Sequence, residues 1–290
     1  MIAADVLQHI GDTLEARKES SPSSSYVASL FHKGEDAILK KVAEEAAEVL
    51  MASKDKDRLH AVGQLLAHFR PASTLAFCNT KAQCRDLVDV LHAQGISALA
   101  LHGDLEQRDR DQVLVRFANR SCSVLVATDV AARGLDIASL AAVINVDVTP
   151  DPEVHIHRIG RTGRAGESGL ALNLASMNEM GSVGKIEQLQ GRESEWHELA
   201  ELVPTGKGPL MPPMVTLHIQ GGRKEKIRPG DVLGALTADL GYTREQVGKI
   251  NVNDWSTYVA VDRAIAEQVA SRLNDGRIKG KSVKVRVLAD

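Results

Sequence analysis

The sequence predicts a mixed α/β protein: a parallel sheet with helices on both faces, then a small α+β domain, with a helical segment in front. Residues 58–204 alternate short apolar runs with helical patterns, which is typical of a parallel sheet covered on both faces. Residues 215–290 follow a βαββαβ pattern of strands and helices. Between them, the Gly- and Pro-rich stretch at 205–214 predicts a linker.

The N-terminal segment, residues 1–57, predicts two helices. One covers residues 4–18 and the other covers about 26–53, and the Ser- and Pro-rich stretch ESSPSSS at 19–25 separates them. Gly34 is a candidate break within the second helix, because glycine is a poor helix former.

Five apolar runs predict the strands of the parallel sheet. They are STLAFCNT at 73–80, SALALHG at 97–103, SVLVATD at 123–129, AAVINVD at 141–147 and GLALNLAS at 169–176. In the last segment VTLHIQ, VGKINV, TYVAV and SVKVRVLA predict strands, and PGDVLGALTADL and RAIAEQVASRLN predict helices. This order predicts a split βαβ sandwich of the RNA-recognition type.

The composition argues against several classes of protein. The 290 residues are 43% hydrophobic and 25% charged, which suits two soluble domains or a little more. Apolar runs stay well below 18 residues and the N-terminus lacks a signal-peptide core, so we expect no membrane partner and a cytoplasmic location. The three cysteines form no CxxC pair, which argues against zinc and predicts buried thiols.

The net charge of -3 conceals an uneven distribution. Residues 214–290 hold 13 Lys and Arg against 9 Asp and Glu, whereas acidic residues predominate before them. The last segment is therefore the better candidate for a phosphate-backbone surface, with a plain solvated basic face as the alternative. Because aromatic residues make up 3% of the chain, RNA binding should depend on backbone contacts more than on stacking.

Polar motifs follow the predicted parallel strands, at the sheet edge where open α/β sheets bind ligands. The motifs are FCNTK at 77–81, LHGD at 101–104 with Gln107 and Arg110 behind it, ATD at 127–129 leading to ARGLD at 132–136, and HRIGRTGRAG at 157–166. In this order they closely resemble the second RecA-like lobe of DEAD-box RNA helicases. The resemblance covers essentially all of residues 60–204 and implies a RecA-like fold for the parallel lobe.

The resemblance implies roles for the matching residues. Arg161 and Arg164 would act as arginine fingers on the γ-phosphate of ATP, and a surface ion-pair cluster is the plainer alternative. Asp136, with Gly134 nearby, would face the ribose, and His157 would bridge to the partner lobe. The positions that would hold the RNA backbone are Asn79, Gly103, Arg110 and Thr128.

A complete ATP site needs more than these arginines. The phosphate-binding loop, the Mg²⁺-holding acid and the adenine pocket would belong to a first lobe, which has no counterpart in this sequence. The nearest match to a phosphate-binding loop, GRIKGKS at 276–282, is one residue short and precedes a strand-like run, so we interpret it as chance. ATP is therefore expected only with a complementary first lobe, a separate copy of which is a candidate partner. We expect no hydrolysis by this chain alone.

The last segment resembles the C-terminal RNA-binding domain of the DbpA class of DEAD-box proteins. The resemblance rests on GRKEKIRPGDVLGALTADLG, VGKINVNDWSTYVAV and GRIKGKSVKVRVL. It implies that a hairpin of large-subunit ribosomal RNA is bound and that the role lies in ribosome assembly. The expected RNA-binding cations are Lys226, Arg228, Lys249, Lys279 and Lys281, and Arg277, Lys284 and Arg286 add charge. Tyr258 is either a stacking residue or filler of the sheet, because the full RNA-recognition signature is missing.

The N-terminal segment carries a second candidate chemistry. The run EEAAE at 44–48 places carboxylates on one helical face, which suits Mg²⁺ or Mn²⁺, although acidic pairs on helices are usually solvated. The surrounding residues 16–54 resemble the N-terminal part of phosphoribosyl-ATP pyrophosphatase, an all-helical enzyme of histidine biosynthesis. The candidate metal ligands are Glu44, Glu45 and Glu48. We expect the resemblance to stop near Asp57, which leaves this metal site incomplete and the activity absent or feeble.

Two functions of different classes follow. One is the RNA-binding C-terminal part of a DEAD-box helicase, and the alternative is a phosphoribosyl-ATP pyrophosphohydrolase. The number of residues that resemble each family favours the first function, since about 220 residues resemble the helicase and about 57 resemble the pyrophosphatase. The abrupt join between two families also suggests a gene fusion or an assembled chimaera.

Overall fold

The computed structural model describes residues 12–13, 15–18, 21, 25–38, 57–135, 140–163 and 169–288. The chain forms two compact units, Met1–Asp57 and Arg58–Asp290. No helix within these described ranges is long and apolar enough to cross a membrane.

Helix α1 (Tyr26–Lys33) is the main described element of the first unit. It begins at Ser25, whose hydroxyl accepts a hydrogen bond from the Ala28 amide, and ends at Gly34, where φ is 93°. The expected break at Gly34 is confirmed. The remainder of the two predicted N-terminal helices falls largely outside the described residues, as do the predicted metal ligands Glu44, Glu45 and Glu48.

The second unit opens with a five-stranded parallel sheet in the order β2-β3-β1-β4-β5. Its strands are β1 (Thr74–Phe77), β2 (Ala98–Leu101), β3 (Val124–Ala127), β4 (Ala142–Asn145) and β5 (Leu170–Asn173). Its helices are α2 (described over 57–69), α3 (Lys81–Ala93), α4 (Gln107–Ala118), α5 (Asp129–Ala132), α6 (Pro152–Ile159) and α7 (Met180–Gln190). All five predicted strands and their parallel arrangement are confirmed.

The parallel lobe has a hydrophobic core on each face of its sheet. Alternate residues of β1 serve opposite cores: Leu75 and Phe77 pack with Phe117, whereas Ala76 packs with Leu66. Both faces of the sheet are therefore shielded from water, which explains why the central strands are apolar along their whole length. The cysteines Cys78, Cys84 and Cys122 are free and buried, as predicted.

An antiparallel four-stranded sheet in the order β7-β8-β6-β9 forms the second domain of this unit. Its strands are β6 (Met214–Gln220), β7 (Val247–Val252), β8 (Ser256–Asp262) and β9 (Lys284–Leu288). Its helices are α8 (Pro229–Gly234), extended by a π-helical turn over Ala235–Asp239, and α9 (Ala266–Asp275), and both pack on one face of the sheet. The predicted βαββαβ order is confirmed.

The other face of the antiparallel sheet meets the parallel lobe through buried polar contacts. The Thr216 hydroxyl lies 2.6 Å from the Ser121 hydroxyl and accepts a 3.2 Å hydrogen bond from the Asn119 amide. The Met214 backbone N–H donates to the Arg120 carbonyl over 3.3 Å. The predicted linker is also bound at both ends: Thr205 donates to the His68 carbonyl, and the Pro212 carbonyl accepts from Arg263.

Candidate nucleotide and RNA interface

Four residues predicted to hold an RNA backbone gather at the carboxyl edge of the parallel sheet. Asn79, Gly103 and Thr128 follow β1, β2 and β3, which are neighbours in the sheet, so all three lie at one edge. Arg110 on α4 joins this edge by donating a 2.6 Å hydrogen bond to the Ala131 carbonyl, just beyond Thr128. Asn79 and Gly103 are exposed, as a backbone-binding surface requires.

An ion pair occupies part of the same edge. The Lys81 ammonium lies 2.5 Å from the Asp104 carboxylate, and Arg85 approaches the same carboxylate at 3.5 Å. The hydrogen bond from Lys81 lowers the pKa of Asp104. Asp104 therefore offsets part of the positive charge that Lys81 and Arg85 bring to the neighbourhood of Gly103.

A partly buried ionic network fixes the position of the Asn79 backbone. Its backbone N–H donates to the Asp147 carboxylate over 3.3 Å, and Arg58 donates to the same carboxylate over 2.9 Å. Arg58 also binds both oxygens of Glu179, at 3.0 and 2.6 Å. Burial alone would raise the pKa of Glu179, but hydrogen bonds from Arg58 and Ser176 outweigh it and hold the pKa at about 2.

Arg158, which sequence reasoning missed, holds helix α6 against the sheet. Its side chain is 2% exposed and donates to both carboxylate oxygens of Asp129, each over 2.7 Å. The Nη1 amino group donates to the Asn145 side-chain oxygen over 3.1 Å and to the Asp147 carbonyl over 2.9 Å, and the centre of the Phe77 ring lies 5.1 Å from the guanidinium carbon. The His-Arg pair at 157–158 was the one sign in the sequence that Arg158 has a role. Sequence alone does not tell which arginine of the motif is buried against the sheet.

The predicted nucleotide-facing residues are only partly described. Arg161 is half-buried and donates a 2.7 Å hydrogen bond to the Leu135 carbonyl, which places it beside Gly134. Gly134 has a φ of 75°, in the left-handed region that favours glycine. His157 is exposed in the last turn of α6. The predicted ribose contact Asp136 and the second finger Arg164 lie outside the described residues.

A groove of about 800 Å³ in the antiparallel domain collects much of the predicted positive charge. We call it the basic groove, and its cations are Arg223, Lys226, Arg228 and Lys279. Its remaining lining residues are Ile227, Pro229, Ile250, Asn251, Val252 and Asn253. The structure thus brings together three of the five predicted RNA-binding cations and adds Arg223, which sequence reasoning missed.

Backbone hydrogen bonds shape the basic groove. A 3-10 turn over Arg223–Glu225 is held to the β7–β8 loop, because the Arg223 and Lys224 amides donate to the carbonyls of Asn253 and Asp254, each over 2.9 Å. Across the groove, the Lys279 ammonium donates to the Lys226 carbonyl over 2.9 Å.

The other predicted residues of this domain lie outside the basic groove. Lys281 donates to the Glu225 carbonyl beneath the 3-10 turn, and Lys249 is exposed on β7. Tyr258 is 5% exposed, and its ring lies 5.1 Å from the His218 ring. Of the two roles expected for Tyr258, stacking on RNA is therefore wrong, and packing within the sheet is correct. Tyr258 fills the sheet face that meets the lobe. Trp255 is instead the exposed aromatic residue beside this region, at 69%.

The resemblance of residues 276–282 to a phosphate-binding loop is confirmed as chance. Ile278 and Lys281 bridge a tight hairpin turn through Lys279 and Gly280, which have positive φ angles, and strand β9 follows. A phosphate-binding loop would open a helix there.

Comparison with known proteins finds three family models in the chain. A helicase conserved C-terminal domain matches residues 57–166, the DbpA RNA binding domain matches residues 216–287, and phosphoribosyl-ATP pyrophosphohydrolase matches residues 7–100. The chain is 49% identical over 236 residues to the ATP-dependent RNA helicase DbpA of Escherichia coli, covering 81% of this chain and 51% of the relative. It is 60% identical over 97 residues to the phosphoribosyl-ATP pyrophosphatase of Chromobacterium violaceum, covering 33% of this chain and 88% of that enzyme.

Segments that match two families are joined in this sequence. It carries the C-terminal lobe and DbpA RNA-binding domain of a DEAD-box helicase, behind a segment of the phosphoribosyl-ATP pyrophosphatase family. The chain spans about half the length of the DbpA relatives that it matches. The second of them, the ATP-dependent RNA helicase DbpA of Bacillus subtilis, is 31% identical, and the match covers 80% of this chain and 53% of that protein. Among solved structures, the E. coli DEAD-box protein SrmB bound to regulator of ribonuclease activity A is 30% identical with a TM-score of 0.49, covering 53% of this chain and 91% of that chain.

The pyrophosphatase match extends further than the sequence suggested. It reaches residue 100, so the expectation that it stops near Asp57 is wrong, and residues 57–100 match both families. In the structure these residues hold α2, β1, α3 and β2 of the parallel helicase lobe. Strands β1 and β2 pair with β3, which lies beyond the pyrophosphatase match, and this pairing explains why the shared stretch has the helicase fold.

Proposed function

We propose that this DEAD-box segment binds structured RNA, of the ribosomal hairpin class, through the basic groove. The observation that carries the proposal is the convergence of Arg223, Lys226, Arg228 and Lys279 around one concave surface. Cations in a groove release counterions from the phosphate backbone when RNA binds, which supplies affinity without base reading. The exposed Trp255, with the Lys224 ammonium 5.9 Å from its ring, offers one stacking surface nearby.

The carboxyl edge of the parallel sheet is the second part of this proposal. Asn79, Gly103, Arg110 and Thr128 would hold a sugar-phosphate backbone there. Arg161 would reach a nucleotide held by a separate first lobe, and the remaining N–H groups of its guanidinium support this, since the Leu135 carbonyl is the one hydrogen-bond partner of its side chain among the described residues. That lobe would supply the bound ATP and Mg²⁺, with Arg164, His157, Gly134 and Asp136 completing this side.

A salt titration tests the basic groove. Hairpin RNA binding should weaken steeply with salt, and Lys226→Gln or Arg228→Gln should each reduce the slope of log affinity against log salt by about 1. Lys185→Gln, on the exposed face of α7, is the matched control and should leave the slope unchanged. A slope near zero for the unaltered chain, or equal slopes for all variants, would contradict the proposal.

The domain boundaries and setting belong to the same proposal. We assign residues 1–57 to the pyrophosphatase-like segment, 58–204 to the helicase lobe, 205–214 to a linker and 215–290 to the RNA-binding domain. Ribosome assembly in the cytoplasm is the expected setting, and the free buried cysteines agree with a reducing compartment.

Phosphoribosyl-ATP pyrophosphohydrolase is the second candidate function, favoured by the 60% identity to that enzyme. We expect the activity to be absent or feeble, because residues 57–100 build the helicase lobe instead of completing a helical bundle. Turnover of phosphoribosyl-ATP with Mg²⁺ by the full chain, abolished by Glu45→Gln and Glu48→Gln, would establish this function in place of the expected inactivity.

A further inference from the structure

A pocket of about 350 Å³ lies where the helicase lobe meets the RNA-binding domain. We call it the junction pocket. Helix α4 of the lobe lines it with Asp109, Gln112, Val113 and Arg116, and strand β9 of the RNA-binding domain lines it with Arg286, Val287 and Leu288. Arginines from two domains therefore face one small cavity.

Arg286 is held in place while part of its guanidinium stays available. Its Nε donates a 3.3 Å hydrogen bond to His218 Nδ1, and its two terminal amino groups have no partner in the part of the chain that the structure describes. An oriented guanidinium with free N–H groups suits a phosphate, which accepts two parallel hydrogen bonds.

The environment of His218 shows the positive potential at this site. Burial lowers the pKa of His218, and the charges of Arg286 and of Arg108, the exposed residue before Asp109, lower it further. The Tyr258 ring also contacts His218. The His218 imidazole accepts the hydrogen bond from Arg286, and Arg108 adds positive charge beside the two arginines that line the pocket, Arg116 and Arg286.

The two walls of the junction pocket are fixed to each other. Thr216 is fully buried between Ser121 and Asn119, and the Met214 N–H donates to the Arg120 carbonyl a few residues beyond α4. Strand β9 also connects the pocket to the basic groove: Lys281 follows the hairpin turn at the groove, and Arg286 lies five residues further along, or about 17 Å of extended chain. Lys284 is exposed between them.

We propose that the junction pocket binds a phosphate of the same RNA that occupies the basic groove, so that an RNA segment beyond the hairpin is held between the two domains. This inference depends on the proposed RNA binding by the groove. Asp109 also faces the pocket, and its carboxylate repels a phosphate. Removing that carboxylate should therefore strengthen binding, whereas removing an arginine should weaken it.

Two RNAs separate the sites: a minimal hairpin, and the same hairpin with a single-stranded extension at either end. For the extended RNA, the double variant Arg108→Gln with Arg286→Gln should lower affinity about tenfold, and Asp109→Asn should raise it severalfold. All of these variants should bind the minimal hairpin like the unaltered chain. Arg244→Gln, an exposed arginine outside both sites, is the matched control.

The groove variant Lys226→Gln distinguishes the two proposals. If it weakens both RNAs while the double variant of Arg108 and Arg286 leaves the affinity for the extended RNA unchanged, the junction proposal alone fails. If it weakens neither RNA, the proposed function itself fails.

The His218 imidazole gives an independent readout in the full chain. Extended RNA should raise the pKa of His218, measured by NMR, whereas the minimal hairpin should not. A rise with inorganic phosphate alone, combined with unchanged affinity of the Arg108 and Arg286 double variant for the extended RNA, would assign the pocket to free phosphate and overturn the proposal.

Discussion

Glu179 illustrates how one residue supports a site that it does not touch. With Arg58 it anchors Asp147, which in turn accepts the Asn79 amide at the carboxyl edge. We predict that Glu179→Gln lowers the free energy of unfolding by about 3 kcal/mol at pH 7, because a partly buried Arg58 loses its bidentate partner. Urea unfolding followed by circular dichroism measures this loss.

The pH dependence of that loss provides its check. The pKa of Glu179 is about 2 in the folded chain against 4.5 ordinarily, so its contribution is complete above pH 4.5 and disappears as the pH falls toward 2. The stability difference between Glu179→Gln and the unaltered chain should shrink over this interval. Glu198→Gln, at an exposed position, should cost close to nothing at any pH. A difference that stayed constant from pH 7 to pH 3 would refute the role of the ion pair.

At the scale of elements, the basic groove depends on close contact between two loops. A Cβ added to Gly222 would lie 2.2 Å from the Asn253 carbonyl oxygen and 2.7 Å from the Asp254 carbonyl oxygen, both of which are backbone atoms. Gly222→Ala should therefore push the 3-10 turn away from the β7–β8 loop and lower hairpin affinity about tenfold or more.

Gly230→Ala is the matched control for this change. A Cβ there meets nothing within 4 Å, and the residue lies in α8, where alanine is the better helix former. We expect unchanged RNA affinity and an equal or slightly higher melting temperature. If Gly222→Ala bound the hairpin as tightly as Gly230→Ala, the groove would not be the RNA site.

The strands could be predicted from sequence because each has a local signature. Runs such as VLVA at 124–127 are apolar throughout, since both sheet faces are covered, and the antiparallel strands end at Gly, Asn and Asp turns. Tyr258 could not be assigned in the same way. Its exposure depends on a lobe more than a hundred residues away along the chain, and alternation along β8 cannot show that both faces are covered. Arg158 and Arg161 likewise differ in burial within one motif.

At the scale of the whole molecule, the junction joins the lobe and the RNA-binding domain into one unit. Thr216→Val keeps the side-chain shape but leaves the buried Ser121 hydroxyl and Asn119 amide without their partner, which should cost about 2–4 kcal/mol. Thermal unfolding by calorimetry should then show two separated transitions. Thr216→Ser keeps the hydroxyl and should preserve the unfolding profile of the unaltered chain. Identical profiles for both variants would show that these hydrogen bonds do not couple the domains.

The arginine finger can be tested only in a two-part assembly, because its nucleotide would lie on another lobe. We predict that the chain mixed with the separately expressed first lobe of the E. coli DbpA relative hydrolyses ATP in an RNA-stimulated manner. Arg161→Gln should lower that rate about 10³-fold, since it removes a planar cation from the developing charge on the γ-phosphate. Hairpin affinity should not change, because Arg161 lies outside the basic groove. Arg192→Gln, at an exposed position after α7, should match the unaltered chain in both assays. Hydrolysis without the added lobe, or an unchanged rate for Arg161→Gln, would remove the finger role from this residue.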